Sequence, residues 1–137
     1  MKKLNCVLLI DDDEPTNFIH KRIVTKWDGA EEVQIAEGGQ EALNYLSSSE
    51  AGEYPQPDII FLDINMPGMD GWEFLEEYDQ LPLAQKGGVM VMMLTTSLNP
   101  DDREKAKKYG AVAGFMNKPL TTTMLDDVRQ EHFPDYC

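Results

Sequence analysis

Five short apolar runs, separated by segments of helical character, restrict the fold of this 137-residue chain more than any other feature of its sequence. Each run is apolar at successive positions rather than at alternate ones, although Gln34 weakens the second. This pattern indicates strands that are buried on both faces, as in a parallel sheet. The runs cover residues 7–10, 33–36, 59–62, 89–94 and 113–116.

Most of the segments between the runs carry apolar residues at helical spacing. The segment at 100–108 is polar, but it opens with Pro and acidic residues and stops at Gly110, as helices do. Strand and helix therefore alternate, which predicts right-handed crossovers and an α/β fold with a doubly wound parallel sheet. Because this length suits one domain, we expect residues 1–137 to form a single unit.

The composition argues against several classes of protein. A formal net charge of −13 and a pI near 4.4 disfavour direct binding to the phosphate backbone of a nucleic acid. No apolar run approaches the roughly 18 residues that span a bilayer, and the chain opens without an apolar leader. We therefore expect a cytoplasmic protein that binds neither nucleic acid nor membrane. Cys6 and Cys137 form no disulfide or metal-binding pattern.

Polar residues follow four of the five apolar runs. Acids occupy 11–13 after the first run, Asp63 follows the third, hydroxyl residues occupy 95–97 after the fourth, and 117–119 after the fifth include Lys118. In a doubly wound sheet the ligand site lies beyond the carboxyl ends of the strands. The sequence therefore predicts that carboxylates, hydroxyls and one ammonium group meet at one edge of the sheet.

This set of side chains suits the transfer of a phosphoryl group. Converging carboxylates repel each other, so one of them should have a raised pKa unless a cation is present. Mg²⁺ prefers such oxygen ligands, and a lysine adds a further positive charge. Transfer of a phosphoryl group needs mainly alignment and neutralisation of charge on its oxygens, and a carboxylate can act as the nucleophile.

Each of these residues also has an ordinary structural interpretation. An aspartate after a strand often caps a helix or forms a turn, and Asp13, with Pro15 close behind it, is a candidate cap. The hydroxyl residues and the Lys118-Pro119 pair are common in turns and loops. A functional site is favoured because polar residues follow four predicted strands and are expected to meet at the same edge of the sheet.

The motifs, in their order along the chain, resemble those of the receiver domains of two-component response regulators. The resemblance covers about residues 4–130, which it implies are the core of a single receiver domain. These motifs are an acidic strand end at 8–14, the segment 58–71 around Asp63, Leu-Thr-Thr-Ser at 94–97 and Lys-Pro at 118–119. The resemblance implies a CheY-like, flavodoxin-like fold: a five-stranded parallel sheet in the order 2-1-3-4-5, flanked by five helices. It also implies a stand-alone response regulator that acts as a signalling switch and not as an enzyme.

The resemblance assigns a phosphoacceptor and a metal site. Asp63 is expected to accept the phosphoryl group. Asp12 is expected to bind Mg²⁺, with Mn²⁺ as an alternative ion, and Asp11 to bind it directly or through water. Asp63 itself and the backbone carbonyl of Asn65 would complete the protein's ligands. Because 11–14 is a run of four acids, the share of Asp11 and Asp12 in metal binding stays open.

The resemblance also assigns residues that respond to phosphorylation. Thr95 is expected to bind a phosphoryl oxygen, and Lys118 to pair with another. Phe115 would change rotamer together with Thr95. The side chains of Asn65 and Ser97 would flank the path of attacking water and tune the lifetime of the phosphorylated state. The peptide bond after Lys118 is often cis in this family.

The expected partners are proteins. A sensor histidine kinase or a histidine phosphotransfer protein would supply the phosphoryl group from a phosphohistidine, docking on the first helix near Pro15 and Ile19. We expect no effector domain after the fifth helix, so output would pass to a downstream protein or along a phosphorelay. A homodimer through the fourth helix, fifth strand and fifth helix is a further prediction. His20, between charged neighbours, is predicted to be a surface residue.

Three alternatives remain at this point. A Mg²⁺-dependent phosphatase of the haloacid dehalogenase type would use Asp11 as nucleophile and Asp13 as general acid, but Pro15 departs from that family's pattern. A receiver-like module that is never phosphorylated would usually lose the acceptor, the acidic pair or the lysine. A phosphate sink would keep the same chemistry as a switch.

Overall fold

The structure, a computed structural model, describes residues 3–49, 53–55, 57–82, 85, 90–96 and 99–133. Within these residues the chain alternates between strand and helix. The strands are β1 Leu4–Ile10, β2 Ala30–Ala36, β3 Ile59–Asp63, β4 Met90–Thr95 and β5 Val112–Asn117. The helices are α1 Glu14–Trp27, α2 Gly39–Ser47, α3 Gly71–Asp79, α4 Pro100–Ala106 and α5 Thr122–His132. None of the helices in this part of the chain has both the length and the apolarity needed to cross a membrane.

The strands form one parallel sheet in the order β2-β1-β3-β4-β5. This confirms the predicted doubly wound topology. Ile10 at the end of β1 lies beside Leu62 of β3, and Asp63 lies beside Leu94 of β4. Three strands therefore end nearly level with one another at the same edge of the sheet.

Buried apolar residues cover both faces of the sheet, as the continuous apolar runs predict. On one face, Leu8, Ile60 and Met93 pack with residues of α2, α3 and α4, such as Phe74. On the other face, Leu9, Phe61 and Leu94 pack with residues of α1 and α5, such as Leu125. Each fully buried side chain of this kind stabilises the fold by about 1.5–3 kcal/mol, so the sheet is a rigid support for its edge.

Side-chain caps fix where several helices begin. Asp13 accepts a hydrogen bond from the backbone N–H of Thr16, which confirms it as the N-cap of α1. Asp70 and Glu73 form a reciprocal capping box at the start of α3. Such caps give partners to backbone N–H groups that have none within the helix, and so stabilise the start of each helix.

Two element boundaries differ from the sequence prediction. β2 begins at Ala30, three residues before its apolar run, because Glu31 and Glu32 lie exposed on an edge strand that still pairs with β1. The polar helix α4 ends at Ala106 rather than near Gly110. Hydrogen bonds that span three residues, such as the one from Tyr109 N–H to the Ala106 carbonyl, tighten the chain after it.

Candidate functional site

The candidate site lies at the carboxyl edge of the sheet, where β1, β3, β4 and β5 end. Asp11 follows β1, Asp63 is the last residue of β3, Thr95 is the last residue of β4, and Lys118 follows β5. Asp11 is 3% exposed, Asp63 6% and Thr95 2%, so these polar groups have little contact with solvent. Such burial requires partners, because unpaired buried charges are strongly disfavoured.

Lys118 bridges the two buried carboxylates. Its Nζ lies 2.5 Å from Oδ2 of Asp11 and 3.1 Å from Oδ1 of Asp63. The backbone N–H of Lys118 donates to the carbonyl of Thr95 at 2.9 Å, which ties the lysine to the end of β4. The peptide bond between Lys118 and Pro119 is cis, as the family resemblance implies. One ammonium group thus connects acids from two different strands.

The site has a charge imbalance that shows in its pKa values. Burial, and then the negative charge of Asp11, raise the pKa of Asp63 above its usual range. Lys118 and a hydrogen bond from the backbone N–H of Asn65 act in the opposite direction and only partly offset this rise. Burial lowers the pKa of Lys118, but its contacts with Asp11 and Asp63 outweigh burial and raise it overall. The ammonium group is therefore charged, and Asp63 is not fully compensated.

Three carboxylates offer a place for a divalent cation. Oxygen atoms of Asp11, Asp12 and Asp63 all lie within 4.8 Å of one another, and the Asp12 side chain is exposed to solvent. Three negative charges face the single positive charge of Lys118, so a hard cation would relieve the remaining repulsion. An all-oxygen ligand set with access to water suits Mg²⁺, which keeps several waters when bound. The chemistry of these residues fits the predicted metal.

Thr95 and Phe115 lie on the same face of the sheet. Phe115 of β5 pairs with Met93 of β4, and Thr95 is two residues further along that strand. Because side chains alternate between faces along a strand, Met93, Thr95 and Phe115 share one face. Phe115 is half-buried and packs against the core beside α3 and α4. Phe115 therefore lies on the same face as Thr95, two residues before it in the register of the sheet, and is partly exposed to solvent.

The other predicted residues that the structure describes, Asn65 and Asp13, do not join the buried cluster of the site through their side chains. The side chain of Asn65 is exposed, while its backbone N–H bonds the Asp63 carboxylate. Ser97 lies outside the described residues. Asp13 is used to cap α1 and is exposed, so it is not held as a general acid beside Asp11. This geometry removes the support for the phosphatase alternative.

Two buried polar residues of α1 beside the site did not emerge as site residues from the sequence. The prediction of a surface position for His20 was wrong, because its side chain is only 2% exposed and its Nε2 accepts from the N–H of Leu120 at 3.2 Å. Asn17, also 2% exposed, donates from Nδ2 to the Asp11 carbonyl at 2.7 Å. Their spacing of three residues, on the face that holds the buried Val24, is the sequence signal that identifies them.

Comparison with known proteins gives a consistent result. The family profile of the response regulator receiver domain matches residues 7–129. The transcriptional regulatory protein MalR of Bacillus subtilis is 34% identical over 129 residues, which are 91% of this chain and 50% of that protein. Across the first three curated relatives that it matches, this chain spans between 25% and 65% of their length.

Solved structures show the same fold. A two-component response regulator from Cytophaga hutchinsonii superposes with a TM-score of 0.80 at 34% identity, covering 95% of this chain and 97% of that one. The chemotaxis protein CheY4 of Vibrio cholerae gives a TM-score of 0.76 at 28% identity, covering 93% of this chain and 98% of that one. The agreement extends over nearly the whole of each chain.

Proposed function

Because this chain belongs to the response regulator receiver domain family, we propose that it is a signalling switch that accepts a phosphoryl group on Asp63. The observation that carries the proposal is the position of Lys118, whose Nζ contacts Asp11 and Asp63 at the edge of the sheet. A carboxylate that is buried, incompletely neutralised and beside a fixed ammonium group is suited to attack phosphorus. The donor would be the phosphohistidine of a sensor kinase or of a phosphotransfer protein.

The proposed step is a transfer from nitrogen to oxygen. One oxygen of the Asp63 carboxylate forms a bond to phosphorus while the bond from phosphorus to the imidazole nitrogen of the donor breaks. The electron pair of that bond stays on the nitrogen, so the donor leaves as a neutral imidazole once it is protonated. Lys118 would neutralise charge on one phosphoryl oxygen, and the Thr95 hydroxyl would donate to another. Water that attacks phosphorus later would release inorganic phosphate and restore Asp63.

Asp11, Asp12 and Asp63 are the side chains that would hold Mg²⁺, together with the backbone carbonyl of Asn65. When bound, the ion would neutralise negative charge on the carboxylates and on the phosphoryl oxygens. Asp11 also accepts a hydrogen bond from the backbone N–H of Asp13 at 3.0 Å, which orients its carboxylate toward the cluster. The protein therefore needs little rearrangement to present these oxygens.

Phosphorylation would change the charge at the sheet edge and bias a switch. The phosphoryl group brings about −1.5 to −2 units of charge and strong acceptor oxygens. Thr95 would move toward it, and Phe115, on the same face of the sheet, would turn into the space that is released. The change would then reach α4 and β5, a surface for a downstream protein or for a second copy of the chain. Asn65 and Ser97 would set how long the phosphorylated state lasts.

The donor would dock on α1. Phe18 is 62% exposed and Ile19 is 52% exposed on this helix, beside the charged residues Lys21 and Arg22. Exposed large apolar side chains that are close together are typical of protein interaction surfaces. The start of α1 also lies directly after the acidic end of β1, which would bring the donor's phosphohistidine close to Asp63.

The proposal is tested by intact mass after incubation with Mg²⁺ and phosphoramidate or acetyl phosphate. The natural chain should gain about 80 Da, the mass of one phosphoryl group, and should not do so when Mg²⁺ is chelated. Asp63→Asn should gain nothing. Asp13→Asn is the matched control, because it lies in the same acidic run and asparagine still caps a helix. A gain that survives Asp63→Asn, or no gain in the natural chain, contradicts the proposal.

A further inference from the structure

Helix α1 turns two buried polar side chains toward the ends of β1 and β5. Asn17 and His20 are one turn apart, and each is only 2% exposed. Neither belongs to the set of acids, hydroxyls and lysine that would bind the phosphoryl group or the metal. Asn17 contacts the backbone of Asp11 itself, and His20 contacts the backbone two residues after Lys118.

Asn17 holds the segment that carries the acids. Its Nδ2 donates to the backbone carbonyl of Asp11 at 2.7 Å, and its own backbone N–H donates to the carbonyl of Asp13 at 3.0 Å. The Asp11 carboxylate in turn accepts from the backbone N–H of Asp13. Residues 11–13 are therefore fixed both to one another and to α1.

His20 holds the segment that carries the lysine. Its Nε2 accepts from the backbone N–H of Leu120 at 3.2 Å, two residues after Lys118. The Lys118 N–H donates to the carbonyl of Thr95. The segment from Lys118 to Leu120 is thus attached to β4 at one end and to α1 at the other. A shift of either attachment would move the ammonium group relative to Asp63.

Packing alone does not account for these side chains. Oδ1 of Asn17 is buried and has no hydrogen-bond partner among the described residues, so an apolar side chain would avoid an unfavourable desolvation. Burial, as the largest cause, lowers the pKa of His20, so the ring is neutral and Nε2 is free to accept. Within the described part of the chain, each side chain makes a hydrogen bond to the backbone of the site, which favours its polar character.

We propose that Asn17 and His20 are positioning residues with separate tasks: Asn17 sets the geometry of the acids that would bind the metal, and His20 sets the position of Lys118 for phosphoryl transfer. This rests on the proposed function. The division follows from the two hydrogen bonds, since the one from Asn17 goes to the carbonyl of Asp11 after β1 and the one to His20 comes from Leu120 in the loop that carries Lys118.

The test compares variants in which the branched apolar side chain of leucine replaces each polar side chain and removes its hydrogen bond. Asn17→Leu should weaken Mg²⁺ binding several-fold, measured by calorimetry without a phosphodonor, and should leave the rate at saturating Mg²⁺ close to that of the natural chain. His20→Leu should leave Mg²⁺ affinity unchanged and lower the maximal rate of phosphorylation by phosphoramidate about tenfold, because small misplacements of a charged group have large effects on rate. His20→Gln, whose Oε1 can accept from Leu120, should recover most of that rate.

A merely structural role predicts a different pattern. If both variants only lower the melting temperature, or if both change affinity and rate to the same extent, the proposal is overturned. Failure of His20→Gln to recover more rate than His20→Leu also overturns it. The ¹⁵N shifts of the His20 ring in the natural chain need no variant: an unprotonated Nε2 supports the proposal, and a protonated one refutes it. A natural chain that takes no phosphoryl group overturns the proposed function and this proposal together.

Discussion

Replacement of Lys118 by methionine tests how the buried charges of the site are balanced. Methionine keeps most of the volume of the lysine stem but removes the ammonium group, which lies 2.5 Å from Asp11 and 3.1 Å from Asp63. Two buried carboxylates would then face each other without a cation. We expect the metal-free variant to be less stable than the natural chain and to lose most of its phosphorylation.

The size of the stability change follows from these distances. At an effective dielectric constant of about 20, two opposite charges 3.1 Å apart attract by about 5 kcal/mol before desolvation is considered. Desolvation offsets much of that, and loss of one partner from a buried pair typically destabilises by about 3–5 kcal/mol. Because Asp63 can take up a proton when the lysine is absent, we expect about 3 kcal/mol. That corresponds to a fall in melting temperature of roughly 10 °C for a chain of this length.

The raised pKa of Asp63 also determines how the stability of Lys118→Met should change with pH. Loss of the ammonium group raises the pKa of Asp63 further, so the ionised carboxylate destabilises the fold most above that pKa. Protonation relieves the repulsion as the pH falls through it. The difference in stability between the natural chain and Lys118→Met should therefore shrink as the pH falls through the raised pKa of Asp63, and Mg²⁺ should reduce the difference at pH values above that pKa.

The assay is urea denaturation in chelator at several pH values. Lys107→Met is the matched control, because it changes the net charge equally but removes only an exposed pair with Glu104, in which both side chains are more than 70% exposed. Such a pair is worth about 0–1 kcal/mol. If Lys118→Met is no less stable than Lys107→Met, or if its deficit grows as the pH falls, the description of the site's charge balance is wrong.

Four further substitutions separate the roles of neighbouring residues. Asp63→Asn should stabilise the metal-free chain by about 1 kcal/mol in urea denaturation, because it removes a buried charge next to Asp11. The natural chain should become more stable as the pH falls through the raised pKa of Asp63, whereas the variant should not. A destabilised variant would contradict this. Asp13→Ala should be less stable than the natural chain because it loses a helix cap, but it should be phosphorylated normally. Asp12→Ala should keep its stability and bind Mg²⁺ less tightly in calorimetry. If Asp13→Ala weakens Mg²⁺ binding and Asp12→Ala loses stability instead, the two roles are assigned wrongly. Ile19→Glu should slow phosphorylation by a histidine-phosphorylated donor protein without affecting phosphoramidate, and equal slowing with both donors would exclude α1 as the docking surface.

Much of the fold and of the proposed site could be predicted because both depend on strand ends. A parallel sheet requires continuous apolar runs, and the residues that follow those runs must meet at one edge. Asp11, Asp63, Thr95 and Lys118 each follow or end such a run, and the structure brings them together. Their positions after successive apolar runs were therefore enough to predict that they meet at one edge of the sheet.

The parts that could not be predicted depend on contacts between distant elements. The spacing of His20 from Asn17 and Val24 indicates the buried face of α1, but nothing in the local pattern reveals that His20 bonds Leu120, in the loop after β5. The exposed Glu31 and Glu32 of β2 belong to an edge strand, where pairing with β1 and not apolarity decides the structure. In both cases the tertiary neighbour, rather than local propensity, determines the outcome.

The most direct test of the central claim is to identify the residue that carries the phosphoryl group. The chain would be phosphorylated with phosphoramidate and Mg²⁺, reduced with borohydride, which converts an aspartyl phosphate to homoserine, and digested for peptide sequencing by mass spectrometry. Homoserine at position 63, absent from a sample prepared without the phosphodonor, is the predicted result. Homoserine at Asp11 or Asp12, or unmodified aspartate at 63 in a chain that has gained the phosphoryl mass, would contradict the account.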